Sequence, residues 1–195
     1  TTGYDGTKFD LFISLDTASL DRLGLNLPFY ENAKRTACID HHASNDGYAD
    51  YNYILPKASS ASEVLYDLLD EDLIDKSIAM YMGIAHDSGV FRFQSTTPKT
   101  MRIAANMIEK GVNVNMILEE TFFRKTYNQM MVTAKIQSEA VLALDGKCIY
   151  GYCTSEMMEE YGVTTKDLDA VVASIRNVDG VEVAMFLYQL SEDSY

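Results

Sequence analysis

Apolar and polar positions along this chain switch between a two-residue and a helical period, and the switching predicts strands and helices in alternation. Phe9-Asp10-Leu11-Phe12-Ile13-Ser14-Leu15-Asp16 and Thr36-Ala37-Cys38-Ile39-Asp40 read as two buried strands, each running straight into an aspartate. Between them, residues 17–30 read as a polar turn and a short helix whose continuation Pro28 blocks. Residues 49–55 form a third extended run with Tyr51, Tyr53 and Leu55 on one face. Ser60-Ala61-Ser62-Glu63 is a capping-box signature, and Val64, Leu65, Leu68 and Leu69 behind it make an apolar helical stripe. A further apolar helix from Ser77 to Ala85 delivers His86-Asp87-Ser88-Gly89.

Thr97-Pro98 opens another helix, with Met101, Ala104, Ala105 and Ile108 inward and Gly111 at its end. From 113 to 144 the pattern stays helical with hardly a breaker. A strand over 147–152, a helix over 165–175 and a strand over 181–190 follow, without internal repeats. The expected architecture is α/β: a mostly parallel sheet flanked by helices over 1–111, a long helical linker over 112–144, and a partial second α/β domain over 145–195. Two lobes on such a linker predict a cleft that opens and closes around substrate.

Charge narrows the partners. A net charge of -13 argues against a generic grip on double-stranded nucleic acid, which is carried by Lys and Arg, and suits divalent cations. The 3 cysteines, Cys38, Cys148 and Cys153, form no regular framework and read as reduced thiols. No apolar run reaches the roughly 20 residues that span a bilayer, and Thr1-Thr2-Gly3-Tyr4-Asp5 lacks the parts of a signal peptide, so no membrane partner and a cytoplasmic location are expected.

The chemistry gathers at Asp16, at the Asp40-His41-His42 corner and at Asp87, each at the end of an apolar element. One aspartate after a strand is ordinarily a turn or cap residue. Three such sites at the ends of α/β elements lie where an open sheet collects its ligands, and carboxylates with imidazole suit Mn²⁺ or Mg²⁺. Arg92 has the fork that binds phosphate, though a solvated strand position explains it equally simply, and Ser95 and Thr96 precede a helix start that attracts anions, though capping is the commoner job for such residues. His86 reads as a neighbour of the site, and Tyr48, Tyr51 and Tyr53 as packing residues that could also stack on a base.

Four segments together carry a resemblance. Leu15-Asp16-Thr17 with Asp21-Arg22-Leu23-Gly24, Ile39-Asp40-His41-His42, Gly83-Ile84-Ala85-His86-Asp87-Ser88-Gly89-Val90-Phe91 and Ser95-Thr96-Thr97-Pro98 resemble, in order and spacing, the DHH phosphoesterase family and most of all its oligoribonuclease and nucleoside 3′,5′-bisphosphate phosphatase branch, which is related to exopolyphosphatases. The part beyond Lys147 resembles the start of that branch's associated substrate domain.

The resemblance implies a two-metal hydrolase in which manganese or magnesium ions activate water and neutralise phosphoryl charge. It makes Asp16 a bridging metal ligand and His41 and Asp87 ligands of one ion. It gives Asp40 an orienting role, and it turns His42 toward the substrate phosphate. The substrates it implies are short oligoribonucleotides, linear dinucleotides or adenosine 3′,5′-bisphosphate. Two other readings are an exopolyphosphatase-like enzyme and a non-catalytic nucleotide-binding module, and a homodimer is compatible with all three. The family's His-x-x-x-Asp-x-Asp strand is not matched before Asp16, nor is its glycine-rich segment matched later. The expectation is therefore a fragment cut at both ends, with weak metal binding and little or no activity of its own for want of the first motif.

Overall fold

The strands nearest the start pair in sequence order. In the computed structural model β1 (Phe12–Leu15), β2 (Thr36–Asp40) and β3 (Tyr51–Ile54) form a parallel sheet, with Phe12 opposite Thr36 and Ala37 opposite Tyr51. Parallel pairing brings the carboxyl ends of β1 and β2 to one edge, so Asp16 and the Asp40 corner meet there. The structure describes residues 4–70, 73 and 78–190, and the chain falls into two compact units, Thr1–Phe123 and Arg124–Tyr195.

In the first unit α1 (Leu27–Glu31), α2 (Ala61–Leu68), α3 (Ile78–Asp87), α4 (Pro98–Glu109) and α5 (Val114–Leu118) accompany the sheet. Its apolar core is built from Tyr81, Ile84, Ile103, Met107 and Ile117 with their neighbours. The second unit holds α6 (Tyr127–Glu139), β4 (Val141–Ala143), β5 (Cys148–Cys153), α7 (Ser155–Tyr161), α8 (Val171–Arg176) and β6 (Val183–Tyr188). β4 runs antiparallel and β6 parallel to β5, and Val132, Ile136, Cys153, Leu168 and Val171 pack beneath.

Several sequence expectations need correction. β1 is an edge strand whose apolar side chains are turned outward: Ile13 is 51% and Leu15 49% exposed, while the polar Ser14 is buried. Ser14 is tolerated there because its hydroxyl donates to the Ala37 carbonyl and accepts from Tyr48. Pro28 does not stop a helix but sits in the first turn of α1, where its missing N–H is harmless. The segment before it, Leu20–Asn26, is a 3₁₀ stretch broken at Gly24.

In α4 the buried face is Thr100, Ile103, Ala104 and Met107, and the expected inward residues Met101, Ala105 and Ile108 are exposed. The cause is polar. Thr100 Oγ1 donates to the buried Glu63 carboxylate at 2.7 Å, which rotates the helix from the face that apolarity alone selects.

Over 113–144 the helical pattern is realised in pieces. α5 runs into a π turn at Glu119–Phe123, and α6 restarts behind a Thr126–Gln129 capping box and gives way to β4. The helix read over 165–175 is a 3₁₀ turn at Thr165–Asp167 followed by α8, and α7 was not anticipated. α3 continues through Asp87, and Ser77, its expected start, lies outside the described residues. No helix among the described residues is long and apolar enough to cross a membrane.

Candidate metal centre

Asp16 leaves β1 with φ 57, a left-handed backbone that aspartate accepts more readily than most residues, and its N–H still donates to the Ile39 carbonyl at 3.1 Å. The next strand ends in Asp40, fully buried, and the chain turns at once through His41 and His42. One ligand atom from each of Asp16, Asp40, His41 and His42 lies within 4.8 Å of all the others. Asp87 joins from the last turn of α3, with its Oδ2 3.6 Å from His41 Nε2.

Each nitrogen of His41 has a separate task. Nδ1 lies 3.3 Å from the Ala58 carbonyl, which can only accept, so the ring hydrogen belongs on Nδ1. Nε2 is then the nitrogen that faces Asp16 Oδ1 at 3.3 Å and Asp87 Oδ2 at 3.6 Å. Two carboxylates converging on one ring nitrogen favour a positive charge among them, and an imidazole with its outer nitrogen on a carbonyl is the usual state of a metal-ligating histidine. The residues fit a divalent metal ion.

The Ala58 carbonyl is itself held. Glu63, buried at the start of α2, accepts from the Ser59 hydroxyl at 2.7 Å and the Ser59 N–H at 3.3 Å, as well as from Thr100. Half of the expected capping box forms: Ser60 Oγ accepts from the Glu63 N–H, but the Glu63 carboxylate is spent on Ser59 and Thr100.

Asp40 touches no solvent. It accepts from Asn45 Nδ2 at 2.6 Å, His42 Nδ1 at 2.7 Å and the His41 N–H at 2.8 Å. Burial pushes its carboxyl up, but the Asn45 amide, the His42 imidazole and the His41 N–H together outweigh burial and hold it below the ordinary 3.8. His42 is thereby fixed through Nδ1 and stays partly exposed, with Asp16 Oδ1 3.8 Å away.

A cavity of about 370 Å³ opens beside Asp16 and Asp87, walled by Leu15, Leu65, Met82 and Gly83 among others. Gly83 marks the close crossing of α2 and α3, because a Cβ there would stand 2.2 Å from Ser62 Oγ.

Arg92 is exposed and its Nε donates to the Gly89 carbonyl at 3.0 Å. Ser95 and Thr96 are half-buried in the turn before Thr97, which caps α4 in a reciprocal box with Thr100. His86 points to solvent with its Nδ1 3.3 Å from Asp87 Oδ1. Tyr48 spends its hydroxyl on Ser14 and on the Thr17 carbonyl, and its ring meets Tyr30 edge-on. Burial is the main cause that pushes the Tyr48 phenol up to about 12. Sequence reasoning missed Asn45 and the Glu63–Thr100 pair. An amide placed shortly after a strand-end carboxylate was the available signal for the first, and nothing in the apolar pattern marked the second.

No family model matches the chain. It is 26% identical over 193 residues to the bifunctional oligoribonuclease and PAP phosphatase NrnA of Bacillus subtilis (strain 168), covering 95% of this chain and 59% of that protein. It is 29% identical over 194 residues to the probable bifunctional oligoribonuclease and PAP phosphatase NrnA of Streptococcus mutans, again covering 95% of this chain and 59% of the relative. The chain thus spans about 59% of the length of these curated relatives. The fold is that of an exopolyphosphatase-related protein from Bacteroides fragilis: the TM-score is 0.82 at 19% identity, over 88% of this chain and 53% of that one. The resemblance to the oligoribonuclease branch of the DHH phosphoesterases, first carried by four motifs, extends along nearly the whole chain.

Proposed function

We propose that this chain carries part of the metal centre of a phosphoesterase acting on short oligoribonucleotides, linear dinucleotides or adenosine 3′,5′-bisphosphate. The observation that supports it most is the meeting of two carboxylates, Asp16 and Asp87, at Nε2 of His41, whose other ring nitrogen is held by a backbone carbonyl. The relatives' names, oligoribonuclease and PAP phosphatase, point to the substrate class. In this reading Asp16, His41 and Asp87 would hold Mn²⁺ or Mg²⁺, and Asp16 would be the ligand common to a pair of ions. Such ions supply an activated water and neutralise charge on the phosphoryl oxygens.

The chain's own groups do the positioning. Asp40 fixes the His42 ring through Nδ1, and the exposed side of that ring faces the substrate phosphate. The Ala58 carbonyl keeps the His41 hydrogen on Nδ1, so that Nε2 remains a ligand. The net charge of -13 weighs against a groove for a polyanionic polymer and favours a short substrate. The 195 residues alone turn over slowly in this reading, since two carboxylates and one imidazole are a sparse shell for a pair of ions.

The test is hydrolysis of an RNA dinucleotide and of adenosine 3′,5′-bisphosphate with Mn²⁺ or Mg²⁺ added, beside an Asp87→Ala variant. Slow, metal-dependent release that the variant abolishes supports the proposal. Release that survives in the variant sinks it. Turnover of polyphosphate alone moves the exopolyphosphatase reading ahead, and Mn²⁺ binding with no turnover of any substrate leaves a non-catalytic binding module.

A further inference from the structure

One side-chain amide spans both ligand-bearing corners. Asn45 Nδ2 donates to Asp40 Oδ2 at 2.6 Å and lies 3.2 Å from the Thr17 carbonyl. Asp40 immediately precedes His41, and Thr17 immediately follows Asp16. The carbonyl side of the same group accepts from the Gly47 N–H at 2.9 Å, an ordinary turn contact that fixes the amide's orientation and aims its two hydrogens at the strand ends. Only an amide serves both ends. A carboxylate at this position would set acceptor against acceptor at Asp40, and a serine hydroxyl is too short to reach while holding the Gly47 turn.

The need for such a tie is visible at Asp16, whose left-handed backbone costs free energy that the surroundings must offset. We propose that Asn45 is a positioning residue of the metal centre, holding the Asp40 carboxylate and the Thr17 carbonyl together and so setting the approach of Asp16 to His41. The inference rests on the metal reading above, and its consequence is for metal affinity and for the His42 ring before any substrate is present. Asp40 loses its shortest hydrogen bond when Asn45 is removed, so the His42 N–H that donates to the same carboxylate must respond.

Two measurements on the full chain test it: Mn²⁺ affinity with the metal alone, and the low-field proton signal of the His42 ring N–H in metal-free protein. Asn45→Ala and Asn45→Ser are compared with Tyr48→Phe, which loses another donor to the Thr17 carbonyl but makes no hydrogen bond to Asp40. Asp16→Asn serves as the ligand control. Both Asn45 variants are expected to lose about ten- to a hundredfold in Mn²⁺ affinity and to shift or broaden the His42 signal, while Tyr48→Phe lowers thermal stability and keeps both close to wild type. The proposal is overturned if Asp16→Asn weakens Mn²⁺ binding and the Asn45 variants do not, or if the His42 signal is unmoved in them. If Asp16→Asn leaves Mn²⁺ affinity unchanged, the metal reading is what fails, and the His42 signal alone decides whether Asn45 positions Asp40.

Discussion

Asp16 and His41, carried by the ends of neighbouring parallel strands, face each other with Oδ1 and Nε2 3.3 Å apart. With Nδ1 held on the Ala58 carbonyl, Nε2 and the Asp16 carboxylate share one point at which a metal ion can sit. Asp16→Asn is therefore expected to cost at least about tenfold in Mn²⁺ affinity, a ligand mattering no less than its outer partners. Asparagine also tolerates the φ of 57 at this position, so a loss of binding would not be a backbone effect. Calorimetric titration with Mn²⁺ checks it.

Asp40 gives a signed pH dependence. Its folded pKa lies below the ordinary 3.8, so the stability it contributes is fully present above that value and is lost as pH falls through the folded one. Urea unfolding of wild type and Asp40→Asn should differ by about 1–3 kcal/mol at neutral pH and converge as pH falls through the lowered folded value. A gap that persists in acid would refute the assignment.

Much of the first unit was legible because parallel strands and capped helices leave local signatures. The strand ends at Asp16 and Asp40, the cap at Thr97 and the stop at Gly111 follow from residue type and spacing. Thr100 and Ser14 were not legible. Each is a buried polar side chain paired with a partner far along the chain, Glu63 for one and Tyr48 for the other, and periodicity sees only apolar positions. Asn45 was hidden for the same reason: its importance lies in what it reaches across the sheet edge.

The corrected face of α4 is open to a stability test. Met107→Ala should cost about 2–5 kcal/mol, whereas Ile108→Ala, on the exposed side, should stay within about 0.5 kcal/mol. Chemical denaturation of both variants decides between the two faces.

Cys38, Cys148 and Cys153 are all free and buried, and burial pushes the Cys153 thiol up. A thiol reagent should therefore modify the native protein slowly and the urea-unfolded protein at once. Fast labelling under native conditions would mean that these strands open readily.

The outward rows of apolar side chains have a colloidal consequence. Ile13 and Leu15 on β1, and Met185 and Leu187 on β6, form strips that water wets poorly, on a polypeptide whose copies repel through a net charge of -13. That repulsion reaches only about 10 Å at 0.1 M salt and about 3 Å at 1 M. Light scattering of dilute samples should therefore rise with sodium chloride, which makes low ionic strength the condition under which this chain stays dispersed.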